Sequence, residues 1–181
     1  MAGDILLSMA IFIVFIIALL VLIALICVAI ATIYFALRGA PYANTLPSRI
    51  EEMMKLAEVK KGERAVDIGS GDGRIVIALA KRGVEAHGYE INPLLVLWSR
   101  YKLKRAGVSD RAFIHFKDMW RHDYSDFDLI ISCQISYMMG RLEKKLRREI
   151  KPGARVVSNY FTFPTWKPKK KKGYVYLYQV K

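Results

Sequence analysis

The residues whose types and spacing best suit chemistry run Asp67-Ile68-Gly69-Ser70-Gly71-Asp72-Gly73. The alternating glycines permit a tight turn and bring backbone N–H groups close to a ligand. A dinucleotide fingerprint would read G-x-G-x-x-G and seat a pyrophosphate on the following helix N-terminus. Here the glycines are spaced G-x-G-x-G, and an acid, Asp67, stands two residues ahead of the first. A carboxylate at that point repels pyrophosphate but accepts hydrogen bonds from a cationic amino-acid group. S-adenosylmethionine carries an α-ammonium, a sulfonium and no phosphate, so it is the cofactor expected here. Glu90 closes the next apolar stretch, where a carboxylate accepts both ribose hydroxyls. Asp118, in Phe-Lys-Asp-Met-Trp, follows the third and is expected to receive the adenine amino group, with Ile91, Met119 and Trp120 against the ring. The expected cofactor-binding set is therefore Asp67, Gly69, Ser70, Gly71, Gly73, Glu90, Ile91, Asp118 and Met119.

Positioning that set requires alternating elements, and the pattern supplies them. Strands are predicted over 64–68, 84–89, 112–116 and 128–132, with helices over 74–82, 93–106 and 138–150 between or after them. Asn92 and Pro93 mark the start of the second of these helices. Such alternation predicts an α/β fold with a Rossmann-like, mostly parallel sheet. Residues 154–161 and 174–180 are both aromatic and β-branched, and too few residues separate them for a helical crossover, so the last strand is predicted antiparallel. Ser48-Arg-Ile-Glu51 reads as a capping box that opens a helix running to about Val59. No metal site is expected, because Cys27, Cys133, His87, His115 and His122 lack ligand spacing, and no disulfide framework is expected either.

The N-terminus is of a different kind. Between Asp4 and Arg38 there is no charge, and only Ser8 and Thr32 break the apolar run. A bilayer core needs about 20 apolar helical residues. The run exceeds that, and no basic n-region precedes it as in a cleaved signal peptide. One transmembrane helix is expected within residues 1–38, a linker over 39–47, and the catalytic domain over 48–181. Every Lys and Arg lies at or beyond Arg38, so the positive-inside rule places the N-terminus outside and the domain in the cytoplasm as a single-pass membrane protein.

Five stretches carry a family resemblance: Pro-Tyr-Ala-Asn-Thr at 41–45, Val-Asp-Ile-Gly-Ser-Gly-Asp-Gly-Arg-Ile-Val at 66–76, Gly-Tyr-Glu-Ile-Asn-Pro-Leu-Leu-Val at 88–96, Gly-Ala-Arg-Val-Val-Ser at 153–158 and Phe-Pro-Thr-Trp-Lys-Pro at 163–168. With them the chain resembles the small lysine methyltransferases of archaea and mitochondria, including those that modify adenine nucleotide translocase and the ATP synthase c subunit. Ala43-Asn44 departs from the Val-Pro-type pair often found in those relatives. The resemblance implies methyl transfer from S-adenosylmethionine to a lysine ε-amine. It implies that Asp67, Gly69, Gly71 and Glu90 hold the cofactor, with Tyr42 and Thr45 near the acceptor entrance.

Sulfonium is already an activated methyl donor, so no general base is obligatory, and catalysis rests on in-line positioning and desolvation of a neutral amine. Candidate catalytic or channel residues are Tyr42, Thr45, Gln134 and Tyr137, with Cys133 beside Gln134. Ser132-Cys-Gln-Ile-Ser136 lacks the Asn-Pro-Pro-Tyr type of element used on amides and nucleobase amines. The acceptor is expected to be a membrane or membrane-proximal protein. A small-molecule or lipid acceptor is the alternative reading, and RNA ranks below it. The formal charge of +13 suits RNA, but the basic residues are not interleaved with base-stacking aromatics. Lys167 and Lys169–Lys172 form a dense positive loop, expected to be a solvated hairpin tip or a contact for anionic lipid headgroups.

Overall fold

The computed structural model describes residues 2–38 and 44–180, which divide into two compact units, Met1–Arg38 and Gly39–Lys181. The first unit is one helix, α1 (Ala2–Arg38). Its Leu7–Ile30 stretch has a mean hydropathy of 3.7 and none of it is buried, so it is long and apolar enough to cross a membrane. Apolar side chains such as Phe12, Leu20 and Leu25 point outward all along it. A helix with no polar face has no orientation that water favours.

The second unit is built on a seven-stranded sheet: β1 (Arg64–Ile68), β2 (Glu85–Glu90), β3 (Ala112–Phe116), β4 (Leu129–Ser132), β5 (Arg155–Asn159), β6 (Lys170–Lys172) and β7 (Val175–Gln179). The order across the sheet is β3-β2-β1-β4-β5-β7-β6. The first five strands are parallel, and β7 pairs antiparallel with both β5 and β6. Four helices cover it: α2 (Pro47–Leu56), α3 (Arg74–Ala80), α4 (Pro93–Arg105) and α5 (Ser136–Glu149).

Because successive strand residues face opposite sides, the inner strands feed two cores. Ala65, Ala86, Ile114, Ile131 and Val157 pack under Met53 of α2, Leu79 of α3 and Val96 of α4. Val66, Ile68, Ile130 and Val156 pack on the other side under Met139, Leu142 and Leu146 of α5, joined by Tyr124, Phe163 and Trp166. On α5 those three apolar positions recur at helical spacing, and Glu143 among them is buried. Its carboxylate accepts from the Thr165 N–H (3.0 Å) and hydroxyl (2.5 Å), which straps the Phe-Pro-Thr-Trp segment to the helix.

Three local expectations are corrected. The helix expected to open with a capping box at Ser48 begins at Pro47 with Leu46 as its cap, and no side chain caps it. The proline ring presets the first helical φ and has no N–H to satisfy. Ser48 therefore lies inside the first turn, and Glu51 turns outward to pair with Arg82 and Lys55. The lysine run is not only a loop: Lys170–Lys172 forms an edge strand on β7. Its alternating geometry sends neighbouring lysines to opposite sides, so Lys170 pairs with Glu58 while Lys171 lies 5.4 Å from the Tyr176 ring centroid. Finally, β2 begins and ends one residue later than predicted, which makes Glu90 its last residue.

Candidate cofactor and acceptor site

The site lies where the parallel strands end, the edge at which open α/β sheets place their ligands. Asp67 is the penultimate residue of β1, and the chain then turns through the glycine bend into α3. Gly69 (φ +76°) and Gly73 (φ +78°) occupy the left-handed region. A Cβ on Gly69 would stand 2.7 Å from Gln134 Nε2, and one on Gly73 would stand 3.0 Å from Ser99 Cβ. No side chain is tolerated at either position without displacing a neighbour.

The bend uses up its own donors. The N–H groups of Gly69 and Ser70 both donate to the Tyr89 carbonyl (2.9 and 3.0 Å), that of Gly73 to the Ser70 carbonyl (2.9 Å), and that of Gly71 to Glu90 Oε2 (2.8 Å). The expectation that loop N–H groups approach a ligand is therefore not met at these four. What the bend offers instead is carboxyl oxygens, the unpartnered Asp67 Oδ1 and the remaining position on Glu90 Oε2, which suit the N–H groups of a cation.

Three carboxylates meet here, and they differ in compensation. Asp67 is buried, and its Oδ1 has no hydrogen-bond partner. Burial, reinforced by the charges of Glu90 and Asp72, pushes its carboxyl up to about 8. Burial also raises Asp72, but Arg74 (2.8 Å) and Lys102 (2.5 Å) overrule it and hold that group far below the usual carboxylate range. Glu90 accepts three backbone N–H groups, from Gly71 on Oε2 and from Ile91 (2.8 Å) and Asn92 (2.7 Å) on Oε1. A carboxylate has about four acceptor positions, so about one remains, on Oε2. That is room for one ribose hydroxyl rather than the two expected.

The other predicted residues are distributed around this bend. Ser70 is buried with an unpartnered Oγ under Gly88, where a Cβ would stand 2.6 Å from it. Asp118 follows β3 and caps a single 3-10 turn, Met119–Arg121, by accepting from the Trp120 N–H at 3.0 Å; Met119 is buried beneath it. Ile91 is half-buried beside Glu90. Gln134 is buried against the bend, its Nε2 donating to the Ile68 carbonyl (2.7 Å) and its Oε1 left without a partner. Thr45 Oγ1 lies 3.9 Å from Cys133 Sγ, and Arg74 ties its segment to the bend through the Thr45 carbonyl (2.9 Å) and Asn44 Oδ1 (2.7 Å). Tyr137 is exposed on the first turn of α5. Tyr42 lies outside the described residues.

Sequence reasoning missed two contributors. Gly88 makes room for Ser70 from the neighbouring strand. Asn159, the last residue of β5, is buried with Oδ1 unpartnered. Its side chain reaches Cys133, whose thiol burial and the Asp67 charge push up to about 12 against the opposing hydrogen bonds of Thr45 and Asn159.

The buried, unpartnered Asp67 carboxyl fits the ammonium of S-adenosylmethionine. Glu90 fits one ribose hydroxyl, and Met119 with Ile91 offers apolar surface for a purine. A dinucleotide phosphate finds the Asp67 and Glu90 carboxyls, and four backbone N–H groups already paired.

Comparison with known proteins places the chain among methyltransferases. The family model of the ANTKMT methyltransferase domain matches residues 67–170. The human lysine N-methyltransferase of the ATP synthase c subunit is 44% identical over 128 residues, 71% of this chain and 54% of that protein. A protein-lysine N-methyltransferase of Saccharolobus islandicus (strain REY15A) is 33% identical over 131 residues, covering 71% of this chain and 81% of that one. The crystal structure of an RNA methyltransferase from Salinibacter ruber in complex with S-adenosyl-L-homocysteine superposes with a TM-score of 0.74 at 31% identity, over 76% of this chain and 94% of that one. The chain spans about half the length of the animal relatives it matches.

Proposed function

This chain belongs to the ANTKMT methyltransferase family, and we propose that it transfers methyl groups from S-adenosylmethionine to lysine ε-amines of a protein in or beside a membrane. The observation that carries the proposal is the Asp67 carboxyl, buried with Oδ1 unpartnered at a bend four of whose N–H groups are already paired. When bound, the cofactor supplies a methyl on sulfonium: the new N–C bond forms as the C–S bond breaks, the bonding pair returns to sulfur, and the amine's surplus proton leaves to water.

The protein's part is binding and orientation. Asp67 accepts from the α-ammonium, Glu90 from a ribose hydroxyl, Asp118 from the adenine amino group, and Ile91 and Met119 contact the ring. Gly69, Ser70, Gly71 and Gly73 shape the bend. Thr45, Gln134 and Tyr137 border the acceptor entrance. Desolvation beside a sulfonium lowers the lysine pKa and favours the neutral amine that attacks.

Residues 1–38 act as a single-pass anchor with the N-terminus outside, and the domain over 48–181 lies in the cytoplasm. The apolar length of α1 and the restriction of basic residues to its C-terminal side support this. Tethering raises the effective concentration of acceptors confined to the same surface. Lys167 and Lys169–Lys172 contact anionic headgroups, each contributing about 1 kcal/mol near the surface.

The test uses purified full-length protein, labelled S-adenosylmethionine and membranes from cells lacking the enzyme. Label is expected in acid-stable methyl-lysine of membrane protein. Label confined to extractable lipid or to RNA would refute the lysine reading. Release of the protein from membranes by alkaline carbonate would refute the anchor.

A further inference from the structure

We propose that Asn159 holds and orients the acceptor amine through its side-chain carbonyl; this deepens the lysine-methylation reading and rests on it. Sheet parity aligns three groups in one row. Asp67 on β1, Cys133 just past β4 and Asn159 on β5 belong to adjacent strands in the order β1-β4-β5 and face the α2 side at their carboxyl ends. The Cys133 thiol feels both neighbours, the Asp67 charge and the Asn159 side chain. If Asp67 meets the cofactor's amino-acid end, the far end of the row, at Asn159, is the part left for an acceptor, which must displace the exposed rim of Tyr160 and Tyr174 to reach the buried amide.

Two features mark Asn159 as more than packing. It is 3% exposed and its Oδ1 has no hydrogen-bond partner within the chain, a state that buried amides rarely keep unless a ligand or a bound water completes it. The backbone just beyond is strained into place: Tyr160 adopts φ +69°, a conformation L-residues avoid. Its N–H donates to the Tyr174 carbonyl (2.8 Å), while the Phe161 N–H donates back to the Asn159 carbonyl (3.0 Å). These bonds fix the direction of Asn159. Outside it, the exposed rings of Tyr160 and Tyr174 stack 5.6 Å apart and form a rim.

The residue type suits the task. A neutral lysine amine whose lone pair points at a methyl carbon has two N–H bonds left to satisfy. An amide oxygen accepts one of them without charge. A carboxylate would also accept it, but it would stabilise the ammonium form and hold the proton on. Asn159 is thus a group that orients the nucleophile while leaving it free to deprotonate.

The experiment compares wild type with Asn159→Leu and Asn159→Asp as full-length proteins, using membranes from cells lacking the enzyme as acceptor. Calorimetry with S-adenosyl-L-homocysteine and thermal unfolding accompany each rate. Asn159→Leu is expected to lower methyl-lysine formation at least tenfold, with unchanged affinity for S-adenosyl-L-homocysteine and no loss of thermal stability. Asn159→Asp is expected to move the rise of the pH–rate profile alkaline by at least one pH unit, which a merely structural role would not do. Full activity in Asn159→Leu, an unshifted profile in Asn159→Asp, or a rate loss matched by lost S-adenosyl-L-homocysteine binding would overturn the inference and leave lysine methylation standing. Wild type that binds S-adenosyl-L-homocysteine but labels no lysine would overturn both.

Discussion

Asp67→Asn is expected to stabilise the cofactor-free protein while destroying its hold on the cofactor, and the size of the effect follows from one carboxyl. Asp67 is buried, its Oδ1 has no partner, and burial with two neighbouring acids raises it from 3.8 to about 8. A group whose folded value lies above its unfolded value contributes stability that is complete below the unfolded value and is lost as pH rises to the folded one. For Asp67 the loss therefore runs from about pH 4 to about pH 8. At 1.36 kcal/mol per pH unit it amounts to roughly 4 kcal/mol by pH 7. Asparagine cannot ionise and escapes that loss, although its unsatisfied amide costs about 1–3 kcal/mol. A net gain of about 1–3 kcal/mol at pH 7 follows, or several degrees in Tm. Thermal unfolding at pH 5, 7 and 9 checks it: the variant's advantage should be absent or reversed at pH 5, grow with pH and level off above about 8. A difference that ignores pH would refute the reasoning. Cofactor binding gives a second reading of the same group. An ammonium arriving at Asp67 should expel its proton, so at pH 7 wild type should release about 0.9 proton per S-adenosyl-L-homocysteine bound. Calorimetry in buffers of different ionisation enthalpy measures this. Asp67→Asn should release none and bind far more weakly.

Gly69→Ala combines a left-handed φ with a Cβ 2.7 Å from Gln134 Nε2, and should cost about 1–3 kcal/mol in urea unfolding together with at least tenfold in S-adenosyl-L-homocysteine affinity. Lys102→Met leaves the buried Asp72 with one cation instead of two. It should destabilise by about 1–3 kcal/mol at pH 7, and since Asp72 is depressed when folded, that difference should shrink as pH falls below about 4. Cys133, raised to about 12, holds about one part in ten thousand as thiolate at pH 8. Peptide mapping after an hour with iodoacetamide should find it unmodified, and rapid alkylation would contradict its burial. If Lys167 and Lys169–Lys172 meet anionic headgroups, trypsin should cut there more slowly in phosphatidylserine vesicles than in phosphatidylcholine vesicles at low salt. Equal rates would remove the lipid contact.

The parallel core was legible because strands buried on both faces must read as short apolar runs, and glycine bends must follow them. Val66-Asp67-Ile68 into Gly69 has no other economical reading. Glu90 was legible by position, yet its three N–H donors were not, because they depend on how the bend folds back over β2. The β6 strand was hidden: three lysines have weak strand preference, and they pair only because β7 presents an open edge. Ser48 misled because a capping box and a proline one residue earlier both start a helix, and the proline prevailed. Asn159 carries no motif. Only its burial, its missing partner and the strained Tyr160 beside it set it apart, and none of these is visible before the strands are assembled.

The charge pattern of the site explains how a protein of net charge +13 can recruit a cationic cofactor. Of the two aspartates at the bend, one is neutralised internally and the other is not. Asp72, locked by Arg74 and Lys102, ties the start of α3 to the last turn of α4 at every pH above the strongly acidic range. Asp67 has no such partner, so the cofactor-free fold holds a carboxyl in a state it would not keep in water. A cation entering the bend relieves that state, whereas an anion does not and meets Glu90 besides. Along the same sheet edge, charge gives way to the neutral thiol of Cys133 and the amide of Asn159. On the proposed lysine-methylation reading, a lysine reaching that far would meet a sulfonium ahead and, in the row Asp67–Cys133–Asn159, an amide instead of a carboxylate beside it. Both conditions would favour losing its proton, so on that reading the step from Asp67 to Asn159 turns affinity for one cation into deprotonation of the other.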